Sequence, residues 1–190
     1  MTDRPPARSA GVNAPAPAPV AEPQQAEPRL SPTSFEQLYR DTFDDLYAYV
    51  ATLVRDAGAA EDVVAASFER AYRRLGTYDH RRGSRRQWLF GIARHAALDE
   101  LRRRKRHAAL AAEPGALEPA FEDGDPVRRA AVSAALAGLD ARDRELVALK
   151  YFAGLDKVEI AGVLGISASN AGTRLHRAVQ RLREACDAHA

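Results

Sequence analysis

From Ser34 onward, Phe35, Leu38, Tyr39, Leu46, Tyr47, Val50, Leu53 and Val54 recur at the spacing of one helical face, and Gly58 ends the run. Ser34 suits the N-cap of this helix. A second stripe, Val63, Val64, Phe68, Ala71, Tyr72 and Leu75, predicts a helix from about Ala60 to Leu75. Gly76 to Gly83 is polar and loop-like. A third helix from about Ser84 puts Trp88, Leu89, Ile92 and Ala96 on its apolar side, with Leu98 and Leu101 as further candidates. Between His107 and Asp125, Pro114, Gly115, Pro119 and Gly124 stand among acids and alanines, which neither pack nor sustain a helix. Pro126 then suits the first turn of a helix over 126–138, followed by helices near 140–152, 156–164 and 168–187. No strand-like alternation occurs. The pattern predicts an all-α chain of two small helical domains, 34–107 and 126–187, joined by a flexible linker at 108–125. Residues 1–33 are rich in Pro and Ala, lack periodicity and read as a disordered tail.

Charge changes this picture more than composition does. The formal net charge is only +2, but residues 76–107 carry ten Lys/Arg against three Asp/Glu, whereas 108–127 carry five acids and no base. The basic charge is therefore concentrated. Cys186 is the one cysteine, which excludes an internal disulfide, a CxxC pair and a multi-cysteine zinc site, and it reads as inert. No apolar run approaches the ~20 residues that span a bilayer, and the first residues lack the apolar core of a signal peptide. The expectation is a cytoplasmic protein without membrane insertion. A Gly-rich phosphate loop, a nucleophile elbow and clustered metal ligands are all missing, so neither an enzyme nor a cofactor is expected.

Two segments carry nucleic-acid signals. In LDKVEIAGVLGISASNAGTRLHRA, Val158, Ile160, Ala161, Val163 and Leu164 would brace a helix-turn-helix. Gly165 would make its turn, Ile166 an anchor and Ser167 the next N-cap. Ser169, Asn170, Thr173, Arg174 and Arg177 would then face the major groove, together with the Ser167 cap. The alternative is a plain bundle whose Arg181 and Arg183 are solvated. Upstream, WLFGIARHAALDELRRRKR runs an apolar-faced helix into five consecutive cations, Arg102 to Arg106. The preceding loop, Tyr78, Asp79, His80, Arg81, Arg82, Gly83, Ser84, Arg85, Arg86, mixes an aromatic ring, hydrogen-bonding groups and four arginines. Single-stranded nucleic acid is held by that mixture of charge and stacking. Trp88 could stack on a base, yet its register with Leu89 and Ile92 favours the core. His95 and Asp99 lie one turn apart and read as a surface pair, not half a metal site.

EDVVAASFERAYRRL, GSRRQWLFGIARHAALDELRRRKR and LVALKYFAGLDKVEIAGVLGIS followed by RLHRAVQRLRE occur in that order. Together they resemble regions 2.2, 2.3 to 2.4 and 4 of the extracytoplasmic-function (ECF) sigma factors of bacterial RNA polymerase, over roughly 35–107 and 126–186. The resemblance implies that Glu61, Asp62, Phe68, Arg70 and Tyr72 dock on core RNA polymerase. It further implies that the loop Tyr78 to Ser84 and the start of the next helix, with Arg85, capture bases of the opened nontemplate strand at the −10 element, one of them flipped. Arg94, His95, Asp99, Arg102 and Arg103 fall in the stretch tied to that element, and the helix from Ala168 reads the −35 element. Control by an anti-sigma protein is part of the same implication.

Five departures from the family pattern stand out. Ala65 and Ala66 replace a Gln and an acid, and His95 replaces Asn. In the recognition helix, Asn170 replaces Thr and Gly172 replaces Lys, removing about one phosphate contact. The nineteen residues from 107 to 125 reach at most about 60 Å, close to two turns of duplex. A helix-turn-helix regulator with an N-terminal dimerisation module is the competing reading, and the arginine-rich loop argues against it.

Overall fold

The computed structural model describes residues 30–108 and 126–187, and within them the chain is helical without a strand. Residues 1–29 of the expected tail and nearly all of the expected linker lie outside the described residues, whereas residues 30–33, expected in the tail, are ordered and open α1. The first domain comprises α1 (Pro32–Val54), α2 (Ala57–Arg73) and α3 (Arg85–Ala108), each packed on the other two. The second comprises α4 (Pro126–Gly138), α5 (Ala141–Tyr151), α6 (Lys157–Leu164) and α7 (Ala168–Asp187).

Local chemistry sets the boundaries differently from the periodicity. Ser31, not Ser34, caps α1. The two serines form a reciprocal box, in which Ser34 N donates to Ser31 Oγ at 3.2 Å and Ser31 N to Ser34 Oγ at 2.9 Å. Pro32 occupies the first turn, where a missing N–H costs nothing. Leu30, only 5% exposed, already belongs to the core. At the other end Arg55, not Gly58, stops the helix in a left-handed conformation (φ 58°), and Asp56 at once caps α2 through Ala59 N at 2.8 Å. Gly58 thus lies inside α2.

The first core is built from Leu46, Tyr49 and Val50 of α1, Val64, Phe68 and Ala71 of α2, and Leu89, Phe90, Ala93 and Ala97 of α3. The buried stripe of α3 is rotated by about one position from the expected one. Phe90 and Ala93 are fully buried, whereas Trp88, Ile92 and Ala96 are half-buried. In the second domain Leu136, Leu146, Leu149, Leu155, Ile160, Ala171 and Ala178 form the interior. Val158, expected on the bracing face, is instead 59% exposed, because Ile160, Ala161 and Val163 form the buried face of α6 and Val158 lies off it. The two domains touch, α5 lying on α1 and α6 on α3, and their cores are continuous.

The caps and ion pairs give stability a defined pH dependence. Backbone N–H donors hold Asp56, Asp140 and Asp156 below the usual 3.8, helped by arginines at the first two and by Lys150 and Lys157 at Asp156, and hydrogen bonds from Arg103 and then Arg104 hold Glu100 below 4.5. Groups depressed in the folded state stabilise it fully above their unfolded values, and that stability is lost as pH falls through the folded ones. Burial, with Glu145 beside it, raises Tyr49 well above 10.0, so its contribution is present below that pH and lost above it. Urea midpoints should stay level from neutral pH down to about 5 and fall below about 4.5 and above about 10. A midpoint that rises on acidification would contradict this assignment.

Candidate polymerase and nucleic-acid interfaces

After α2 the chain makes two short 3-10 turns, Leu75–Thr77 and His80–Arg82, and this loop is pinned. Tyr78 is 8% exposed, donates its hydroxyl to Gly83 O at 3.2 Å and meets Trp88 edge-on at 5.7 Å between centroids. Burial raises its pKa above the usual 10.0 and keeps the hydroxyl a donor. Asp79 caps the second turn through Arg81 N (3.0 Å) and holds the Arg81 guanidinium at 3.2 Å, which keeps the carboxyl below 3.8. Ser84 caps α3, its Oγ accepting from Gln87 N at 3.0 Å.

Loop, α2 and α3 enclose a cavity of about 690 Å³. It brings together Tyr78, Asp79, Arg82, Ser84, His95 and Asp99 of the expected −10 residues, adds Arg70 and Trp88, and has Gly162 and Val163 of α6 as a further wall. Trp88 therefore serves both readings, since it packs on the core and lines the cavity. His95 Nδ1 bonds Gly91 O at 2.6 Å, and no cluster of three potential metal ligands exists among the described residues.

Other expected residues lie elsewhere. His80 and Arg81 are exposed on the outer side of the loop, and Arg85 is half-buried at the start of α3. Arg94 points away from the cavity, pairing with Glu145 of α5 at 2.7 Å. The five cations are not all free charges. Arg102 pairs with Asp99 (2.9 Å), Arg103 with Glu100 in a bidentate arrangement (2.7 and 2.8 Å), and Arg104 with Glu100 and Asp56. Lys105 and Arg106 are exposed.

On the outer face of α2, Glu61, Asp62, Arg70 and Tyr72 are exposed, and so are Ala65 and Ala66. Phe68 is only 6% exposed, so it supports this face instead of forming it. Around it stand Tyr39 (4.6 Å), Phe43 (6.2 Å, stacked) and Phe35 (6.3 Å), and Tyr72 packs on Phe35 at 5.4 Å. Tyr39, Phe43 and Tyr72 remain 41%, 38% and 55% exposed, an aromatic patch of the kind that contact surfaces use. Periodicity alone assigns Tyr39 to the core and passes over Phe43. Their spacing of four within an apolar stripe too wide for one groove is the available signal.

In the second domain, Gly165 at φ 68° makes the left-handed turn and Ser167 caps α7, its Oγ accepting from Asn170 N at 3.2 Å. Ser167, Ser169, Asn170, Thr173 and Arg177 are exposed or partly so and Arg174 is half-exposed, while Ala171 and Ala178 face inward. Arg181 is tied to Asp143 of α5 and braces the motif. A Cβ added at Gly172 meets nothing within 4 Å. Gly172→Ala should therefore raise stability by about 0.5–1 kcal/mol in urea denaturation. A loss of stability would mean that the open space at this site is misassigned.

Comparison with known proteins agrees with this geometry. Residues 38–107 match the family described as Sigma-70 region 2, and residues 129–182 match Sigma-70, region 4. RNA polymerase sigma factor CarQ of Myxococcus xanthus is 35% identical over 157 residues, which are 76% of this chain and 89% of that protein. The ECF RNA polymerase sigma factor SigM of Bacillus subtilis is 28% identical, over 79% of this chain and 93% of that one. Among solved structures, the sigma factor RpoE in complex with the anti-sigma factor NepR from Bartonella quintana superposes with a TM-score of 0.70 at 24% identity, covering 82% of this chain and 98% of that one. CnrH in complex with the cytosolic domain of CnrY gives 0.63 at 25%, covering 84% and 92%. The chain belongs to the ECF sigma factors, non-catalytic initiation factors whose partners are core RNA polymerase and promoter DNA.

Proposed function

We propose that the first domain docks on core polymerase through the outer face of α2 and the adjoining aromatic patch, and receives a flipped base of the nontemplate −10 strand in the 690 Å³ cavity. The cavity carries this reading. Tyr78 and Trp88 offer ring surfaces, Asp79 and His95 offer polar groups for a base edge, and Arg82 supplies charge for the backbone. A base held there offsets the few kcal/mol that unpairing costs, which is how binding promotes opening. Arg102 and Arg103, with Lys105 and Arg106, follow the adjoining duplex backbone. In the second domain α7 enters the major groove of the −35 element with Ser169, Asn170, Thr173, Arg174 and Arg177 foremost. Lacking a cation at Gly172, it reads that element with fewer phosphate contacts than the family pattern provides.

The working compartment is the bacterial cytoplasm, where the polymerase is; no helix among the described residues is long and apolar enough to cross a membrane. An anti-sigma protein controls the chain. That both solved relatives were captured with such a partner, or with the cytosolic domain of another protein, supports this.

Permanganate footprinting of the reconstituted holoenzyme on promoter DNA tests the opening step, and reactive thymines confined to the −10 region are expected. Promoter binding with no reactive thymine would refute it. For the docking face, Tyr39→Ala with Tyr72→Ala should weaken core polymerase binding at least about tenfold in a titration, because exposed aromatic rings are frequent hot spots. Both rings are substantially exposed, so the fold should survive and unchanged affinity would remove the patch from the interface.

A further inference from the structure

The α3 side of the cavity holds hydrogen-bonding groups that the fold itself does not use. Gln87, Gly91 and His95 recur every four residues, so they share one face of α3, and all three line the cavity. His95 Nδ1 lies 2.6 Å from Gly91 O. A carbonyl oxygen only accepts, so Nδ1 carries the proton, and in the neutral ring Nε2 is left as an acceptor with no partner among the described residues. The Gln87 carboxamide also lacks a hydrogen-bond partner among the described residues, yet it is held in place, because a Cβ added at Gly83 or at Gly162 would overlap it. Gly83 stands at φ 147°, a conformation that favours glycine, and its bare backbone seats the amide. By contrast Tyr78, Asp79, Ser84 and Asp99 are engaged, with Gly83 O, Arg81, Gln87 N and Arg102. Gly91 stands between the two idle groups. Glycine inside a helix is destabilising relative to alanine, and packing does not require it here, since an added Cβ meets nothing within 4 Å. Its missing side chain leaves an open floor one turn from Gln87 and one turn from His95.

The α2 side of the cavity is charged instead. Arg70 and Arg74, one turn apart on α2, and Arg82 of the loop line it without an ion pair among the described residues. Phosphates are drawn to that side, which leaves the α3 side for a base. We infer that Gln87, Gly91 and His95 form the specificity-determining wall of the cavity, and that the base they take is adenine or cytosine. Both bases carry an exocyclic amine beside an unprotonated ring nitrogen. Gln87 meets that edge with both halves of its amide, Oε1 accepting from the amine and Nε2 donating to the ring nitrogen, and His95 Nε2 is a second acceptor for the amine. The plane of the base lies over Gly91, where any larger side chain would stand in its place. Thymine and guanine turn a keto oxygen toward these acceptors and leave them unpaired. The inference rests on the strand-capture reading of the cavity and adds the identity of the captured base.

The test uses holoenzyme reconstituted from the full chain and core bacterial RNA polymerase, at about pH 8, where histidine is neutral. A promoter that this holoenzyme opens, found by mapping transcript starts on genomic DNA, is rebuilt with each base in turn at every position of the nontemplate −10 element. Heparin-resistant open complexes are then counted on each template. One position should favour adenine or cytosine over thymine and guanine by at least about tenfold. Gln87→Leu and His95→Leu should each cut that preference to about threefold or less, at this position only, with unchanged affinity for core polymerase. Gly91→Leu should lower open complexes at least about tenfold while the urea midpoint of the free chain stays level or rises, a combination that a structural role for Gly91 would not give. If no preference falls in the Gln87 and His95 variants, if the one that falls is for thymine or guanine, or if Gly91→Leu opens promoters as the native chain does, the base assignment is overturned and strand capture stands. No promoter opened by the native holoenzyme would overturn both.

Discussion

Replacing Arg102 and Arg103 together by alanine should abolish promoter opening and leave core polymerase binding nearly intact. Both guanidiniums are more than half exposed, and each is held by a carboxylate of its own helix, Asp99 and Glu100. The exposed Arg102–Asp99 pair contributes under about 1 kcal/mol, and Glu100, whose side chain is mostly buried, keeps Arg104 when Arg103 turns to a phosphate, so the exchange costs little. Each charge-assisted hydrogen bond to a DNA phosphate is worth roughly 1.5–3 kcal/mol, so losing two weakens promoter engagement by about a hundredfold or more. The salt dependence should also flatten by about two phosphate contacts. Glu100 keeps Arg104 as a partner, which preserves the end of α3. Titrations with polymerase and with promoter DNA at several salt concentrations separate the two steps. Parallel loss of both would refute the division between a docking face on α2 and a DNA face on α3.

Phe90→Ala is expected to produce the largest loss of stability. The ring is fully buried, tilts against Tyr49 at 5.4 Å and lies under the Arg86 guanidinium at 5.3 Å. Removing it costs about 3–5 kcal/mol, transfer and cavity terms together, out of the roughly 5–15 kcal/mol that ordinary domains possess. Arg86, held by Asp45 of α1, also loses its platform, and its bond to Ala153 joins the domains, so thermal melting should become less cooperative as well as lower. A shift in urea midpoint equivalent to less than about 1 kcal/mol would show that the site collapses around the vacancy.

Much of this fold is legible in the sequence because it is local. Gly165 needs a left-handed turn, Ser167 offers an oxygen three residues before Asn170, and both requirements can be read without a third dimension. The arginine-rich loop is legible for the same reason, and Tyr78, Asp79, Arg82, Ser84, His95 and Asp99 do meet in one cavity. Partners distant in sequence are not legible. Arg94 groups with its neighbours along the chain, yet its partner Glu145 lies fifty-one residues away. Phe90 escapes notice because Trp88, Leu89 and Ile92 already satisfy a helical stripe, and only tertiary contacts with α1 and α2 fix the rotation of α3. Ser34 passes for the cap because Ser31 carries the same chemistry one turn earlier. The pairing of Arg102, Arg103 and Arg104 with Asp99 and Glu100 is visible as i, i+3 and i, i+4 spacings, whereas the Arg104 bond to Asp56 is not. Five adjacent cations, taken alone, read as a free positive run.

Above all, this chain should direct core polymerase to promoters. The decisive experiment mixes the purified chain with core bacterial RNA polymerase, follows co-elution by gel filtration and maps transcript starts on genomic DNA. A stable complex and discrete starts absent with core alone are expected. Duplex DNA binding by the free chain, with neither co-elution nor new starts, would overturn this role and favour an ordinary helix-turn-helix regulator.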